Sequence, residues 1–155
     1  MTGFRLFCVS LFLVAVLASC DKHTVYHSYI PTPVEGWEQN DTLAFNIDTI
    51  AEAGTYDLIV GVRTTTAYPF QSLYLLVEQQ LRNPHKMSLD TLVCRLASSQ
   101  GDKMGSGIST YQYIYPYKQE KLSAGQSGKI IIRHIMRREI LPGVSDIGVS
   151  ILKEK

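Results

Sequence analysis

The residues with the most definite chemistry stand near the amino terminus. Arg5 puts a positive charge at the start, residues 6–18 are apolar apart from Ser10, and the run closes in Leu17-Ala18-Ser19-Cys20. A charged start and a short apolar centre make a secretory signal. Asp21, Lys22 and His23 end the run before it reaches the roughly 20 apolar residues of a membrane-spanning helix. Ordinary signal cleavage wants an Ala-x-Ala-like site, and Ala18-Ser19-Cys20 would place the cysteine at its last position. Small residues followed by cysteine fit a bacterial lipoprotein signal, cut before the cysteine, whose thiol and amine are then acylated. Cys20 is therefore expected to be mature residue one and the lipid attachment site. Several acyl chains would hold the chain at a bilayer, since two lipid signals already anchor stably.

The other reactive groups read as structural. Cys8 leaves with the signal, and Cys94, with no partner in the mature chain, reads as a buried apolar thiol. His23 and His27 have the spacing of metal ligands on a helix, but Ser28, Pro31 and Pro33 argue against a helix there. His134 alternates with Ile130, Ile132 and Met136, the setting of a hydrogen-bonded core histidine rather than of a general base. Gly101, Gly105 and Gly107 lack the following helix that phosphate binding requires. There is no Gly-x-Ser-x-Gly elbow, His-Glu-x-x-His pair or paired-cysteine spacing. No catalytic residue, cofactor or metal is expected. The 15 Lys and Arg face 14 Asp and Glu, and loss of Arg5 with the signal leaves the two in balance, so no field attracts nucleic acid.

Two constellations remain as candidate partner or ligand surfaces. Tyr111, Tyr113, Tyr115 and Tyr117 recur at every second residue, so a strand would project their rings from one face. Such a row packs between sheets or stacks on sugars and peptides. Pro116 cannot donate to a ladder, so the strand is expected to end there or to lie at an edge. The second is Arg63-Thr64-Thr65-Thr66-Ala67-Tyr68-Pro69-Phe70-Gln71-Ser72-Leu73. Pro69 confines Tyr68 to extended geometry, and Arg63 at the strand end could lock the loop by pairing with a carboxylate.

The elements that must position these residues are strands. Alternation predicts them over 42–48, 56–64, 73–81, 90–97, 110–117, 129–136 and 145–152, with turn-rich segments such as 99–107 and 123–128 between most of them. About seven strands without a helical repeat predict an all-β fold, an antiparallel β-sandwich of jelly-roll-like kind. A short helical turn fits 137–141, before Pro142-Gly143. Three parts follow: a lipoprotein signal peptide over 1–19, a lipidated tether over 20–35, on which Tyr26 and Tyr29 could dock back, and a β-sandwich domain over 36–155.

Four stretches in order resemble the gliding motility-associated lipoprotein H family of Bacteroidetes. They are Gly36-Trp37 with Asp41, the Arg63 to Leu73 stretch, Asp90-Thr91-Leu92, and His134-Ile135-Met136-Arg137-Arg138-Glu139-Ile140-Leu141-Pro142-Gly143-Val144-Ser145-Asp146-Ile147-Gly148. The resemblance implies an envelope lipoprotein associated with the gliding machinery and its type IX secretion apparatus, with other envelope proteins of that machinery as partners and no catalytic residues to carry over. On that basis the chain is expected to be a non-enzymatic scaffold or assembly component. The alternatives are a glycan- or peptide-binding module using the tyrosine row and a hydrolase centred on His134. Surface-exposed lipoproteins of this group tend to carry an acidic run after the cysteine, and Asp21-Lys22-His23-Thr24 has one acid. The periplasmic face of the outer membrane is therefore the expected location.

Overall fold

Alternation of apolar and polar residues sets the architecture, because a strand with one apolar face must cover it with another sheet. The computed structural model describes residues 24–154, and among them every regular element is a strand. In chain order these are β1 (Thr24–Pro31), β2 (Trp37–Glu38), β3 (Leu43–Ile47), β4 (Gly54–Thr65), β5 (Ser72–Arg82), β6 (Lys86–Arg95), β7 (Ser106–Gly107), β8 (Thr110–Leu122), β9 (Ser127–His134), β10 (Ile140–Leu141) and β11 (Val144–Lys153). One antiparallel sheet has the order β1-β11-β4-β8-β7, the other β3-β9-β5-β6, and β10 and β2 form a small ribbon. The two large sheets make the expected sandwich.

The inward rows are those the alternation picks out. Leu43, Phe45 and Ile47 of β3, Tyr56, Leu58, Val60 and Val62 of β4, and Leu73, Leu75 and Val77 of β5 are buried together with Ile130, Ile132, Ile147 and Val149. Each such aliphatic side chain contributes about 1.5–3 kcal/mol by leaving water. The seven expected strands are present with shifted ends, and β1, β2, β7 and β10 are added.

Three departures have physical causes. Half of the expected tether, Thr24–Pro31, is β1, which pairs along β11 from Thr24↔Leu152 to Pro31↔Asp146. Its sequence shows no clean alternation because Ser28, Tyr29 and Ile30 in succession are half-buried. Strand β8 runs on past Pro116 to Leu122, because β7 covers only Tyr111 and Gln112 and a register shift on β4 falls at Leu58/Ile59, beside the residue without an N–H. In place of a helical turn over 137–141, Ile140 and Leu141 pair with Glu38 and Trp37, which buries Leu141 completely.

Candidate functional site

The second and fourth motif stretches meet at one pole of the sandwich. The Thr65 N–H donates to the Gly143 carbonyl at 2.8 Å, tying the end of β4 to the turn before β11. Gly143 lies in the left-handed region at φ +79, and a Cβ there would come within 2.2 Å of the Tyr68 amide nitrogen. Only glycine lets the two segments approach so closely. Between them the Tyr68 ring is buried, its hydroxyl donates to the Ser72 carbonyl at 2.9 Å, and its own carbonyl accepts from Lys103 Nζ at 3.0 Å. Burial pushes the Tyr68 hydroxyl well above its ordinary pKa. Tyr68 is therefore a loop anchor and not a partner surface, because a rigid Tyr-Pro turn at a sheet end tucks its ring under the loop.

Beside it, Trp37 and His134 form the floor. The indole Nε1–H donates to the Asp41 carbonyl at 3.0 Å, and the rings of Trp37 and His134 meet edge to face at 5.1 Å. His134 is fully buried with Nε2 2.9 Å from the Trp37 carbonyl, so Nε2 carries the proton and donates. Desolvation lowers its pKa; the Trp37 bond opposes this and the Arg133 charge adds to it. A neutral, fully buried imidazole that donates from Nε2 to a backbone carbonyl and keeps Nδ1 unpartnered among apolar neighbours is a core residue, as its alternation predicts.

Above this floor lies an open groove of about 480 Å³, lined by Phe70, Tyr74, Ile135, Met136, Arg137 and Arg138. Its base is held by hydrogen bonds: the Tyr74 N–H points to Met136 Sδ at 3.5 Å, the Met136 carbonyl accepts from Gln39 Nε2 at 2.9 Å, and the Ile135 N–H donates to the Tyr74 carbonyl at 2.9 Å. Phe70 packs edge-on against Tyr68 at 5.8 Å. The groove escapes sequence reading because Tyr74 and Met136 lie 62 residues apart. Both motif stretches carry a proline between two strands, Pro69 and Pro142, which marks the loops but not their meeting.

The tyrosine row is elsewhere and does another job. Tyr113 is buried and donates its hydroxyl to the Leu96 carbonyl at 3.0 Å, Tyr115 to the Arg95 carbonyl at 2.6 Å, and Tyr117 to Asp90 Oδ2 at 2.6 Å. The row from Tyr111 to Tyr117 packs against the core and bridges β8 to the neighbouring edge strand β6. Of the two readings of the row, packing between the sheets is the one these contacts support: the Tyr113, Tyr115 and Tyr117 hydroxyls meet backbone and carboxylate, and Tyr111, Tyr115 and Tyr117 stay half-buried. Asp90 of the third motif stretch takes part in the same seam.

Next to it, Glu120 is buried among Gln79 Nε2 at 2.7 Å, Lys86, and Lys118 Nζ at 3.8 Å. Lys118 also donates to Ser88 Oγ at 2.9 Å. This polar latch was missed because Gln79 sits in phase with Leu75, Val77 and Leu81, where an apolar residue is expected. Arg63 is corrected as well. Its guanidinium lies 3.9 Å from the centroid of the Tyr29 ring and its Nε donates to Gln112 Oε1 at 3.2 Å, because on β4 it points to the outer face, where β1 supplies an aromatic ring and no carboxylate. Cys94 is a fully buried thiol whose pKa burial pushes up to about 12. Among the described residues no three or more His, Cys, Asp or Glu gather as a metal site. His27 Nδ1 lies 2.7 Å from Ser150 Oγ, and its expected companion His23, like Cys20, lies outside the described residues.

The model of the GldH lipoprotein family matches residues 24–151. The chain belongs to the GldH lipoprotein family. A GldH homolog of Christiangramia forsetii, a gliding motility lipoprotein by name, is 26% identical over 155 residues, covering 94% of this chain and 93% of the relative. The gliding motility lipoprotein GldH of Flavobacterium johnsoniae is 28% identical over 150 residues, covering 91% and 92%. As a GldH family lipoprotein the chain is a lipid-anchored protein of the cell envelope. Among solved structures, a family 35 carbohydrate-binding module from Clostridium thermocellum is similar at TM-score 0.39 and 15% identity, over 79% of this chain and 87% of that one. The C-terminal CBM6 of LamC from Zobellia galactanivorans is similar at TM-score 0.42 and 11% identity, over 86% and 95%. Likeness at that level says nothing about what a GldH chain binds.

Proposed function

We propose that the chain serves the gliding motility machinery as a lipid-anchored scaffold or assembly component that acts by contact with other envelope proteins, without catalysis. The observation that carries this reading is the family match over residues 24–151, a span that runs from the start of β1 into the last residues of β11. Its support on the side of chemistry is that His134 is fully buried, with Nε2 bonded to the Trp37 carbonyl and Nδ1 without a hydrogen-bond partner among the described residues, and that Tyr113 and Tyr115 donate to the Leu96 and Arg95 carbonyls at the end of β6. The anchor in this reading is lipid on Cys20, the location is the periplasmic face of the outer membrane, and the partners belong to the type IX secretion apparatus.

The test is a clean deletion in the organism that carries the gene. Loss of colony spreading or of adhesin transport to the surface is expected, with restoration by the wild-type gene. Normal spreading and normal transport in the deletion strain would overturn the reading. Mass spectrometry of the mature protein should find a diacylated or triacylated Cys20 at its amino terminus. Protease treatment of intact cells should leave the domain uncut, and its disappearance would move it to the outer surface.

A further inference from the structure

Position along the sheet separates the groove from the membrane. Strand β1 starts at Thr24, level with Leu152 of β11 and through it Asp57 of β4, and ends at Pro31, level with Asp146 and Arg63. The groove loops follow the far end of β4 and precede β11, so they lie at the Pro31 end. Asp21, Lys22 and His23 alone separate Cys20 from Thr24, a reach of about 14 Å even when stretched. Along β1 the sandwich itself is roughly 25 Å long. Lipid on Cys20 therefore holds the Thr24 end to the bilayer, and the groove faces away from it.

The lining has two chemistries side by side. Phe70, Ile135 and Met136 are apolar and half-buried, and Tyr74, 43% exposed, forms the rim. Arg137 and Arg138 are exposed and enter no ion pair among the described residues. Arg138 Nε donates to the Ile140 carbonyl at 2.9 Å, which aims the guanidinium and leaves its other N–H groups available. Glu139 is exposed as well but does not line the groove.

We propose, building on the reading of the chain as a contact protein, that this groove receives an acidic polypeptide segment of an envelope partner. One apolar side chain of the segment lies against Phe70, Ile135 and Met136, where the thioether adapts to its shape. Flanking carboxylates pair with Arg137 and Arg138, the side chains best suited to two-point recognition of a carboxylate. Lipid head groups, the other plentiful anions at a membrane, are at the opposite pole.

The experiment places the photo-crosslinking residue p-benzoylphenylalanine at position 74 of the full lipidated chain, expressed in its own host in place of the deleted gene, with Lys121 at the lipid end as the control position. Illumination should join position 74 to a polypeptide, and sequencing of the joined peptide should show Asp or Glu beside an apolar residue. The yield should fall at least tenfold in R137E/R138E and stay unchanged in K121E, with membrane fractionation and circular dichroism unaltered. If the double reversal fails to fold, R137Q/R138Q replaces it with the same reading. No adduct at position 74, an adduct with lipid, glycan or a second copy of the chain, or an adduct indifferent to the arginines would overturn the proposal. A silent deletion overturns the functional reading itself. A deletion phenotype fully restored by R137E/R138E overturns the groove alone.

Discussion

The guanidinium of Arg63 stacks over the ring of Tyr29, 3.9 Å from its centroid, and ties the edge strand β1 across β11 to β4 on the outer face of their common sheet. The ring fits because its neighbours in register are glycines: Tyr29 pairs with Gly148, which pairs with Gly61. A Cβ at Gly61 would stand 2.2 Å from Tyr29 Oη, and one at Gly148 would stand 2.6 Å from the ring. Gly61→Ala and Gly148→Ala are each expected to cost about 1–3 kcal/mol by overpacking. In a Tyr29→Ala background the cost should shrink to a few tenths, as for a coupled pair. Urea unfolding of the two glycine variants, the Tyr29→Ala variant and the two double variants measures this, and simple additivity would contradict the slot.

The turn that joins the two motif stretches makes a second expectation. Gly143→Ala meets both a left-handed backbone and the Tyr68 amide, so it should destabilise by about 2–4 kcal/mol and loosen the loop at Tyr68. Hydrogen exchange at the Thr65 amide, which donates to Gly143, should accelerate. Protection equal to wild type would show that the contact is unimportant.

Acid should weaken the seam between the sheets. Burial alone raises the Glu120 carboxyl, but the hydrogen bonds from Lys86 and Gln79 and the charges of Lys118 and Lys86 outweigh it, and the net pKa lies below the ordinary value. A carboxyl held lower in the folded than in the unfolded chain adds stability above its unfolded pKa, about 4.3, and loses it as pH falls through the folded value. Stability should thus decline on acidification below about pH 4.5. In Glu120→Gln that acid limb should be flatter, with a cost of about 1–2 kcal/mol at neutral pH. Parallel melts of both proteins from pH 7 to pH 3 provide the measurement; identical slopes would contradict it.

The tyrosine hydroxyls can be removed without touching the rings. Tyr115→Phe should forfeit its bond to the Arg95 carbonyl and cost about 1 kcal/mol. Exchange of β6 amides should rise with it while β9 stays protected, and a uniform rise would mean global loosening instead.

Cys94 should ignore thiol reagents in the folded chain at pH 8, since it is buried and its pKa is pushed up to about 12. It should label promptly in denaturant. Fast labelling of the native protein would show that the core opens at β6.

Local pattern settled a good deal on its own: Leu43, Phe45 and Ile47, the row Tyr56 to Val62, and the burial of His134 and Cys94 all follow from period-two alternation. Alternation is legible because facing is a property of one strand and needs no knowledge of its neighbour. What a residue meets on that face is decided by chain far away. Tyr29 became a strand residue because Gly61 and Gly148 leave room for its ring, and the tyrosine row was committed to β6 because the sandwich closes there. The groove exists only where Tyr74 and Met136 are brought together across the fold. Sequence alone therefore determined the class of fold and its anchor, and tertiary packing decided which surfaces remained for a partner, since pairing across long loops depends on the shape of both sides at once.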